Sequence, residues 1–167
     1  MKKIVLLGLP GSGKSHLARE LARHLGIKAI HLDRLYATPS VGNEPRPEWR
    51  LHMEQMVLED SWIIDGHYSD SLSIRLAAAD TVIFLDISVW ICLVRVWRRQ
   101  GQERDDWPAD TPEKRDLEFL KLLWSVWTSR NSIVTEVYES FDRHARKAQL
   151  IHLAGRRSMK RFLRSLR

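Results

Sequence analysis

The chain has 167 residues, of which 44% are hydrophobic and 29% charged, values that are ordinary for one globular domain. The longest apolar stretch, Thr81–Val94, contains Asp86 and is shorter than the roughly 20 apolar residues that a bilayer span needs. The composition therefore excludes a disordered chain and a transmembrane protein. The only cysteine, Cys92, cannot form an intramolecular disulfide, which favours a reducing, cytoplasmic setting.

The net charge of +6 comes entirely from the C-terminal tail. Residues 155–167 hold six basic residues and no acidic one, and the rest of the chain is balanced at 21 basic and 21 acidic residues. Four apolar residues at helical spacing predict a terminal helix with one apolar stripe and a basic outer face; they are Met159, Phe162, Leu163 and Leu166. The basic face is interpreted either as solvated or as a weak contact with DNA or RNA.

Apolar segments bounded by turn residues alternate with helical periodicity, which is typical of βα units and a parallel sheet. The predicted strands are Lys3–Leu7, Lys28–Leu32, Trp62–Asp65, Thr81–Leu85 and Gln149–Leu153. The later predicted helices run from Pro47 to about Glu59, from about Ser69 to Ala79, over Ile87–Arg99, and from Thr111 to about Arg143, the last either continuous or interrupted near residues 128–132. On that last helix Trp124 and Trp127 share a face with Leu117 and Leu120, a spacing that predicts core packing, with a base-stacking platform as the alternative.

A glycine-rich motif follows the first predicted strand and opens the first predicted helix. Residues 8–15 read Gly-Leu-Pro-Gly-Ser-Gly-Lys-Ser and match the pattern G-x4-G-K-[ST]. Glycines let backbone N–H groups surround a phosphate, while the lysine reaches the β and γ phosphates and the final hydroxyl ligates Mg²⁺. ATP and Mg²⁺ are therefore the predicted cofactors, and the predicted nucleotide-binding residues are Gly8, Gly11, Ser12, Gly13, Lys14 and Ser15.

Further segments extend the pattern beyond the phosphate-binding motif. They are H-L-D at residues 31–33, W-I-I-D-G-H-Y at 62–68, A-D-T-V-I-F-L-D at 79–86 and P-E-K-R-D-L-E-F-L at 112–120. Together they resemble the DNA topology modulation proteins, a family of P-loop proteins similar to adenylate kinases. The resemblance implies one P-loop kinase-like domain over residues 1–167 with an α/β fold: a five-stranded parallel sheet in the order 2-3-1-4-5, flanked by helices. It also implies an acceptor-binding segment at about 34–60 and a small lid at about 100–111.

The strand order implied by the resemblance gives the aspartates that end three predicted strands different roles. Asp65, beside the first strand, is expected to hold Mg²⁺ through water. Asp33, one strand further out, is expected to orient or deprotonate an acceptor hydroxyl or to help hold the metal, with a capping role as the alternative. Asp86 is expected to cap the following helix. By the same resemblance Arg75 is a weaker candidate for binding an acceptor phosphate, and His67 is an open candidate for substrate contact.

Positive charge around a transferring phosphoryl group is predicted from an arginine cluster. Arg95, Arg98 and Arg99 end an otherwise apolar helix beside a loop that contains Arg104, as in the arginine cluster that flanks the lid of adenylate-kinase-like enzymes. Arg95 and Arg99 join Lys14 and Asp33 as predicted catalytic residues, although a solvated helix end is the alternative. Arg156 follows the last strand, where the fold usually contacts adenine, and is a predicted ATP contact.

Three functions remain open at this point. The leading one is an ATP- and Mg²⁺-dependent phosphotransferase acting on a nucleotide or a small-molecule acceptor. The others are an ATP-binding regulatory protein that contacts DNA through the tail, and a P-loop ATPase with water as the acceptor. No membrane partner is expected, any DNA binding is expected to be weak, and the chain is expected to be a monomer or a homodimer.

Overall fold

A computed structural model describes residues 1–36, 46–99 and 117–166. Its strands are β1 (Lys3–Gly8), β2 (Ala29–His31), β3 (Trp62–Asp65), β4 (Thr81–Leu85) and β5 (Gln149–Leu153). They form one parallel sheet in the order β2-β3-β1-β4-β5. The predicted sheet and its implied strand order are confirmed.

Helices cover both faces of this sheet. The described helices are α1 (Lys14–Leu25), α2 (Leu32–Tyr36), α3 (Arg46–Met56), α4 (Ser69–Ala78), α5 (Val89–Arg99), α6 (Leu117–Thr128), α7 (Arg130–His144) and α8 (Arg156–Ser165). One core cluster joins the sheet to α1, α5, α6 and α8, and the other joins it to α3, α4 and α7. The result is a three-layer α/β arrangement.

The central strands are apolar over most of their length because both of their faces are buried, and their polar residues, Lys3, Asp65 and Thr81, stand at strand ends. In β1, Ile4 and Leu6 belong to one core cluster while Val5 and Leu7 belong to the other, and all four are fully buried. Successive side chains of a strand point to opposite faces. This explains why these strands read as continuous apolar runs rather than as alternating patterns.

Several predicted boundaries change in the structure. The second strand ends at His31 because Leu32 already begins α2. The long helix predicted from Thr111 is interrupted, since α6 ends at Thr128 and α7 begins at Arg130.

The core packing predicted for one face of α6 is wrong. Its four apolar side chains are exposed at 69% (Leu117), 58% (Leu120), 70% (Trp124) and 47% (Trp127). Helical spacing identified the stripe correctly, but the layer against which it would pack is not provided by the described part of this chain.

The C-terminal helix confirms the predicted amphipathic tail. Met159 is buried, and Phe162 and Leu163 pack against the core cluster that contains α1. The basic side chains of α8 at positions 156, 157, 160, 161 and 164 are all exposed. Within the described helices, no segment combines the length and the hydropathy required to cross a bilayer. The predicted lid, residues 100–111, and residues 37–45 of the predicted acceptor segment lie outside the described residues.

Candidate active site

The glycine-rich loop between β1 and α1 has a backbone that only glycine accommodates. Gly8, Gly11 and Gly13 have φ angles of +143°, +79° and +101°, where side chains are strained. A Cβ atom on Gly8 would lie 2.6 Å from the carbonyl oxygen of Leu85, and one on Gly11 would lie 2.5 Å from that of Cys92. The glycines therefore allow the loop to curve and to touch both β4 and α5.

The loop is anchored in the core and is followed directly by a helix N-terminus. Leu9 is buried among core residues, and the backbone N–H of Ser12 donates to the Leu9 carbonyl at 3.1 Å. Lys14 also donates from Nζ to that carbonyl, at 3.1 Å. No side chain caps α1, whose N-cap residue is Gly13. Its first N–H groups and the positive end of the helix dipole are therefore available to an anion.

A cavity of about 540 Å³ opens above this loop. Its walls include eight residues that the sequence predicted for the site, namely Gly8, Gly11, Gly13, Lys14, Ser15, Asp33, Arg95 and Arg99. Arg19, Gly66, His67 and Tyr68 also line it. The basic side chains in these walls suit a polyanionic ligand such as a nucleotide phosphate.

Arg95 is bound to the phosphate-binding loop itself. Its Nη1 donates to the carbonyl oxygens of Gly11 at 3.1 Å and Ser12 at 3.0 Å. Because Arg95 belongs to α5 and both carbonyls belong to the phosphate-binding loop, the guanidinium connects the helix to the loop. Arg98, one turn further along, is exposed and lines a different groove, so the predicted arginine cluster is divided between two surfaces.

Asp33 lies in the first turn of α2 and is bound to a tyrosine from another segment. The Tyr68 hydroxyl donates to the Asp33 carboxylate, and burial together with this negative charge raises the pKa of Tyr68. The phenol therefore remains a proton donor at neutral pH. The ring of Tyr68 lies 5.3 Å from that of Tyr36 and 6.0 Å from that of Trp49, measured between centroids. An aromatic wall thus stands beside the carboxylate.

Asp65 ends β3 next to β1 and is almost fully buried, with 4% of its surface exposed. His31 Nδ1 donates to its Oδ2 at 3.0 Å. Its Oδ1 is buried and has no hydrogen-bond partner among the described residues. Carboxylate and hydroxyl oxygens are the ligands that Mg²⁺ prefers, directly or through water. The free oxygen of Asp65 and the Ser15 hydroxyl therefore fit a magnesium ion.

A histidine and a glutamate from distant segments meet at the edge of the cavity. His67 Nε2 donates to Glu136 Oε2 at 2.9 Å, and the Ser69 side chain also hydrogen-bonds to Glu136. Burial lowers the pKa of His67 more than Glu136 raises it. Burial raises the pKa of Glu136, but the hydrogen bonds to Ser69 and His67 lower it by more, so the net pKa is below its ordinary value. The pair is therefore a neutral imidazole bound to an ionised carboxylate at neutral pH.

Arg75 is a structural residue, and the predicted contact with an acceptor phosphate is wrong. Its side chain is fully buried, and burial lowers its pKa to about 10. The guanidinium donates to the carbonyls of Gly66 at 2.7 Å, His67 at 3.1 Å and Tyr68 at 2.9 Å. It therefore orders the segment that forms one wall of the cavity and cannot reach a ligand.

Asp86 is engaged in ion pairs rather than in the predicted helix cap. Arg130 Nη2 lies 2.9 Å and 3.1 Å from its two carboxylate oxygens, and His152 Nε2 lies 3.4 Å from Oδ2. Arg130 is thus committed to a structural ion pair.

This chain matches one known protein family. A family model described as AAA domain matches residues 4–121. The chain belongs to the AAA domain family. None of the curated protein sequences matches it.

The fold of this AAA domain is similar to that of two solved kinases. Shikimate kinase from Acinetobacter baumannii in complex with shikimate is 15% identical, with a TM-score of 0.63 over 99% of this chain and 90% of that chain. Shikimate kinase from Bacteroides thetaiotaomicron is 20% identical, with a TM-score of 0.58 over 98% of this chain and 94% of that chain. This AAA domain therefore has a P-loop NTPase fold.

Three predicted site residues do not line the cavity of this AAA domain. Ser12 and Asp65 are buried behind its walls, and Arg156 is exposed at the start of α8. Sequence reasoning missed Glu136 altogether. Glu136 lies 69 residues from its partner His67, and no local pattern around it differs from that of an ordinary exposed helix face.

Proposed function

We propose that this AAA domain is an ATP- and Mg²⁺-dependent phosphotransferase whose acceptor is a small molecule or a nucleotide. The observation that carries the proposal is the position of Asp33, which lines the same cavity as Lys14, Arg95 and Arg99. A carboxylate facing a phosphate cradle is what transfer to a hydroxyl requires. The two structural neighbours are both kinases, which supports the same class of reaction.

In the proposed reaction the cradle binds and orients the phosphates of ATP. Lys14 exchanges the Leu9 carbonyl for phosphate oxygens, and the N–H groups at the start of α1 donate to the same anion. Arg95 and Arg99 add positive charge where it stabilises the transferring group. Ser15, and Asp65 through water, would hold magnesium, which when bound would neutralise part of the charge of the phosphates. Arg156 is proposed to contact the adenine end.

Asp33 is proposed to accept the proton of the acceptor hydroxyl. The hydrogen bond from Tyr68 orients the carboxylate, and Asp33 lines the cavity in which the acceptor would lie. The rings of Tyr36 and Trp49 stand beside Tyr68 and supply apolar contact area for the body of the acceptor. The acceptor hydroxyl loses its proton to Asp33 as its oxygen bonds to the γ phosphorus, and ADP is released.

A screen of ADP release tests this proposal. Purified protein is given ATP, Mg²⁺ and, one at a time, nucleoside monophosphates, nucleosides and small hydroxylated metabolites. At least one acceptor is expected to raise ADP release above the acceptor-free rate. In Lys14→Ala the acceptor-stimulated rate of ADP release should fall on the order of 100-fold or more, the scale of one lost electrostatic contact. Equal ADP release with every acceptor and with none would instead establish an ATPase that uses water.

A second candidate function rests on α8. The exposed basic side chains of this helix favour contact with nucleic-acid phosphates. We propose that any such binding is weak, independent of sequence and steeply reduced by salt. Fluorescence anisotropy with a labelled DNA duplex at two salt concentrations tests this. Tight, sequence-selective binding at physiological salt would place a regulatory role above the phosphotransferase.

A further inference from the structure

An apolar groove, separate from the cavity above the phosphate-binding loop, runs between α5 and α6. Its volume is about 590 Å³, and tryptophan and aliphatic side chains form most of its walls. Its lining includes Trp90, Val94 and Trp97 from α5 and Leu120, Trp124 and Trp127 from α6. We refer to this surface as the α5–α6 groove.

The apolar surface of the groove is at least as large as the largest patch that an ordinary monomer exposes. Trp90, Trp97, Trp124 and Trp127 are 65%, 50%, 70% and 47% exposed, so at about 150–250 Å² for a whole aromatic side chain they alone present roughly 350–580 Å². Val94, Leu117 and Leu120, which are also exposed, add to this area. The largest apolar patch on a typical monomer is about 300–600 Å². A standard protein interface covers about 800 Å² on each partner.

The groove also has both recessed and protruding parts. Trp90 and Trp127 contact each other edge to face, with centroids 4.7 Å apart at 70°, which fixes one end of it. Trp124 is the most exposed of these tryptophans. A surface that offers both a protruding aromatic ring and a cavity to receive one can be complementary to itself.

Charge distribution indicates the kind of partner. Arg98 is the one charged side chain among the described residues that line the groove. A nucleic acid or a charged peptide would find almost no charged side chain in the groove with which to pair. An anionic lipid surface would be attracted by only one cation there. A second copy of the same surface covers the tryptophans without burying rows of like charges. Tryptophan and arginine are also the residues most enriched among interface anchors.

We propose that two copies of this chain form a twofold-symmetric homodimer through their α5–α6 grooves. The two helices of each protomer then complete a four-helix arrangement, with Trp124 of each copy received by the groove of the other. This contact covers the apolar stripe of α6 that the fold leaves exposed. The inference rests on surface shape and chemistry and does not depend on the proposed function.

Sedimentation equilibrium of the full chain tests the homodimer. The chain mass is 19.5 kDa, and a species of twice that mass is expected at micromolar concentration. Trp124→Glu and Leu120→Glu are each expected to weaken the dimer on the order of 100-fold, the effect of placing a charge at an interface anchor. The matched control is Leu58→Glu, because Leu58 is 78% exposed and lies outside the groove. It should remain dimeric.

Three results would overturn the proposal. The first is a parent protein that sediments as a monomer. This measurement uses no variant and therefore does not depend on whether the variants fold. The second is a dimer that both groove variants retain with unchanged affinity, since its interface would then lie elsewhere. The third is a monomer that sediments with phosphatidylglycerol and phosphatidylcholine vesicles and loses this binding in Trp124→Glu, because the groove would then serve a lipid surface.

Discussion

Arg95 on α5 donates a hydrogen bond to the carbonyl oxygen of Gly11, which lies 84 residues earlier in the phosphate-binding loop, at a distance of 3.1 Å. A second bond from the same nitrogen reaches the Ser12 carbonyl. In a trans peptide the N–H points opposite to the carbonyl, so the bond to the Ser12 carbonyl also fixes the direction of the Gly13 N–H, while the Ser12 N–H is bonded to the Leu9 carbonyl. Arg95 therefore shapes the cradle in addition to contributing positive charge to the cavity.

Arg95→Ala is expected to weaken ATP binding about 10-fold or more and to lower the free energy of unfolding by about 2 kcal/mol, the scale of hydrogen bonds from a charged donor. Isothermal titration with a non-hydrolysable ATP analogue and urea denaturation measure the two effects. The matched control is Arg143→Ala, since Arg143 is exposed and lies outside both the cavity and the α5–α6 groove. Equal losses in both variants would contradict a specific role for Arg95.

Different effects are expected from the two aspartates. Asp65→Asn should weaken the Mg²⁺-dependent activity, because Oδ1 of Asp65 is the oxygen that fits the metal. Asp33→Asn should depress kcat for the acceptor and leave ATP affinity within about twofold, since it acts on the acceptor hydroxyl. ATP affinity and turnover measured for both variants decide the assignment. Equal loss of ATP affinity in both would place Asp33 in the metal site instead.

Tyr68→Phe separates positioning from proton transfer. Without the phenol hydroxyl, the Asp33 carboxylate loses the bond that orients it, so we expect kcat to fall about 10-fold with little change in ATP affinity. Trp49→Phe is a useful control, because it perturbs the aromatic wall while the Tyr68 hydroxyl remains. An unchanged kcat in Tyr68→Phe would show that the carboxylate does not require this orientation.

Arg75→Met is expected to destabilise the fold by about 3 kcal/mol or more. The substitution leaves the carbonyls of Gly66, His67 and Tyr68 without their buried donor, and each unpaired buried group costs about 1–3 kcal/mol. Urea denaturation measures the change. Arg143→Met provides the comparison, because Arg143 is exposed and pairs with Glu139 one helical turn away; its effect should be within about 0.5 kcal/mol. Similar values for both would contradict the structural role of Arg75.

Stability should fall on acidification because of His67. Burial lowers its pKa below the ordinary 6.5, so the folded state binds the proton more weakly than the unfolded chain does. The contribution is complete above about pH 6.5 and is lost as the pH falls below that value toward the folded pKa. Glu136, whose pKa is also lowered, adds a loss of the same sign at lower pH.

His67→Gln is therefore expected to flatten the decline in unfolding free energy that the parent shows just below pH 6.5. Urea denaturation at several pH values between about 5 and 7.5 measures it. The control is His144→Gln, since His144 is exposed at the end of α7 and should leave the slope unchanged. A decline of the same steepness in His67→Gln and the parent would mean that other groups cause it.

The cradle and the sheet were determined by the sequence itself because their causes are local. Glycines at positions 8, 11 and 13 allow the positive φ angles of the loop, and the lysine and serine that follow stand at the first positions of α1. Parallel strands that are buried on both faces consist largely of apolar residues. Such apolar runs can be recognised directly in the sequence. The apolar stripe of α8 follows from helical spacing in the same way.

Only the tertiary structure decided the partners of the charged groups. Arg75 points into the protein and not toward the acceptor, Asp86 meets Arg130, and Glu136 reaches His67. Each outcome depends on how a helix is rotated and placed against the sheet, which is set by packing among residues far apart in the chain. Spacing showed that Trp124 and Leu120 share a face. Whether that face is covered depends on the neighbouring layer, and in the described structure it is left exposed.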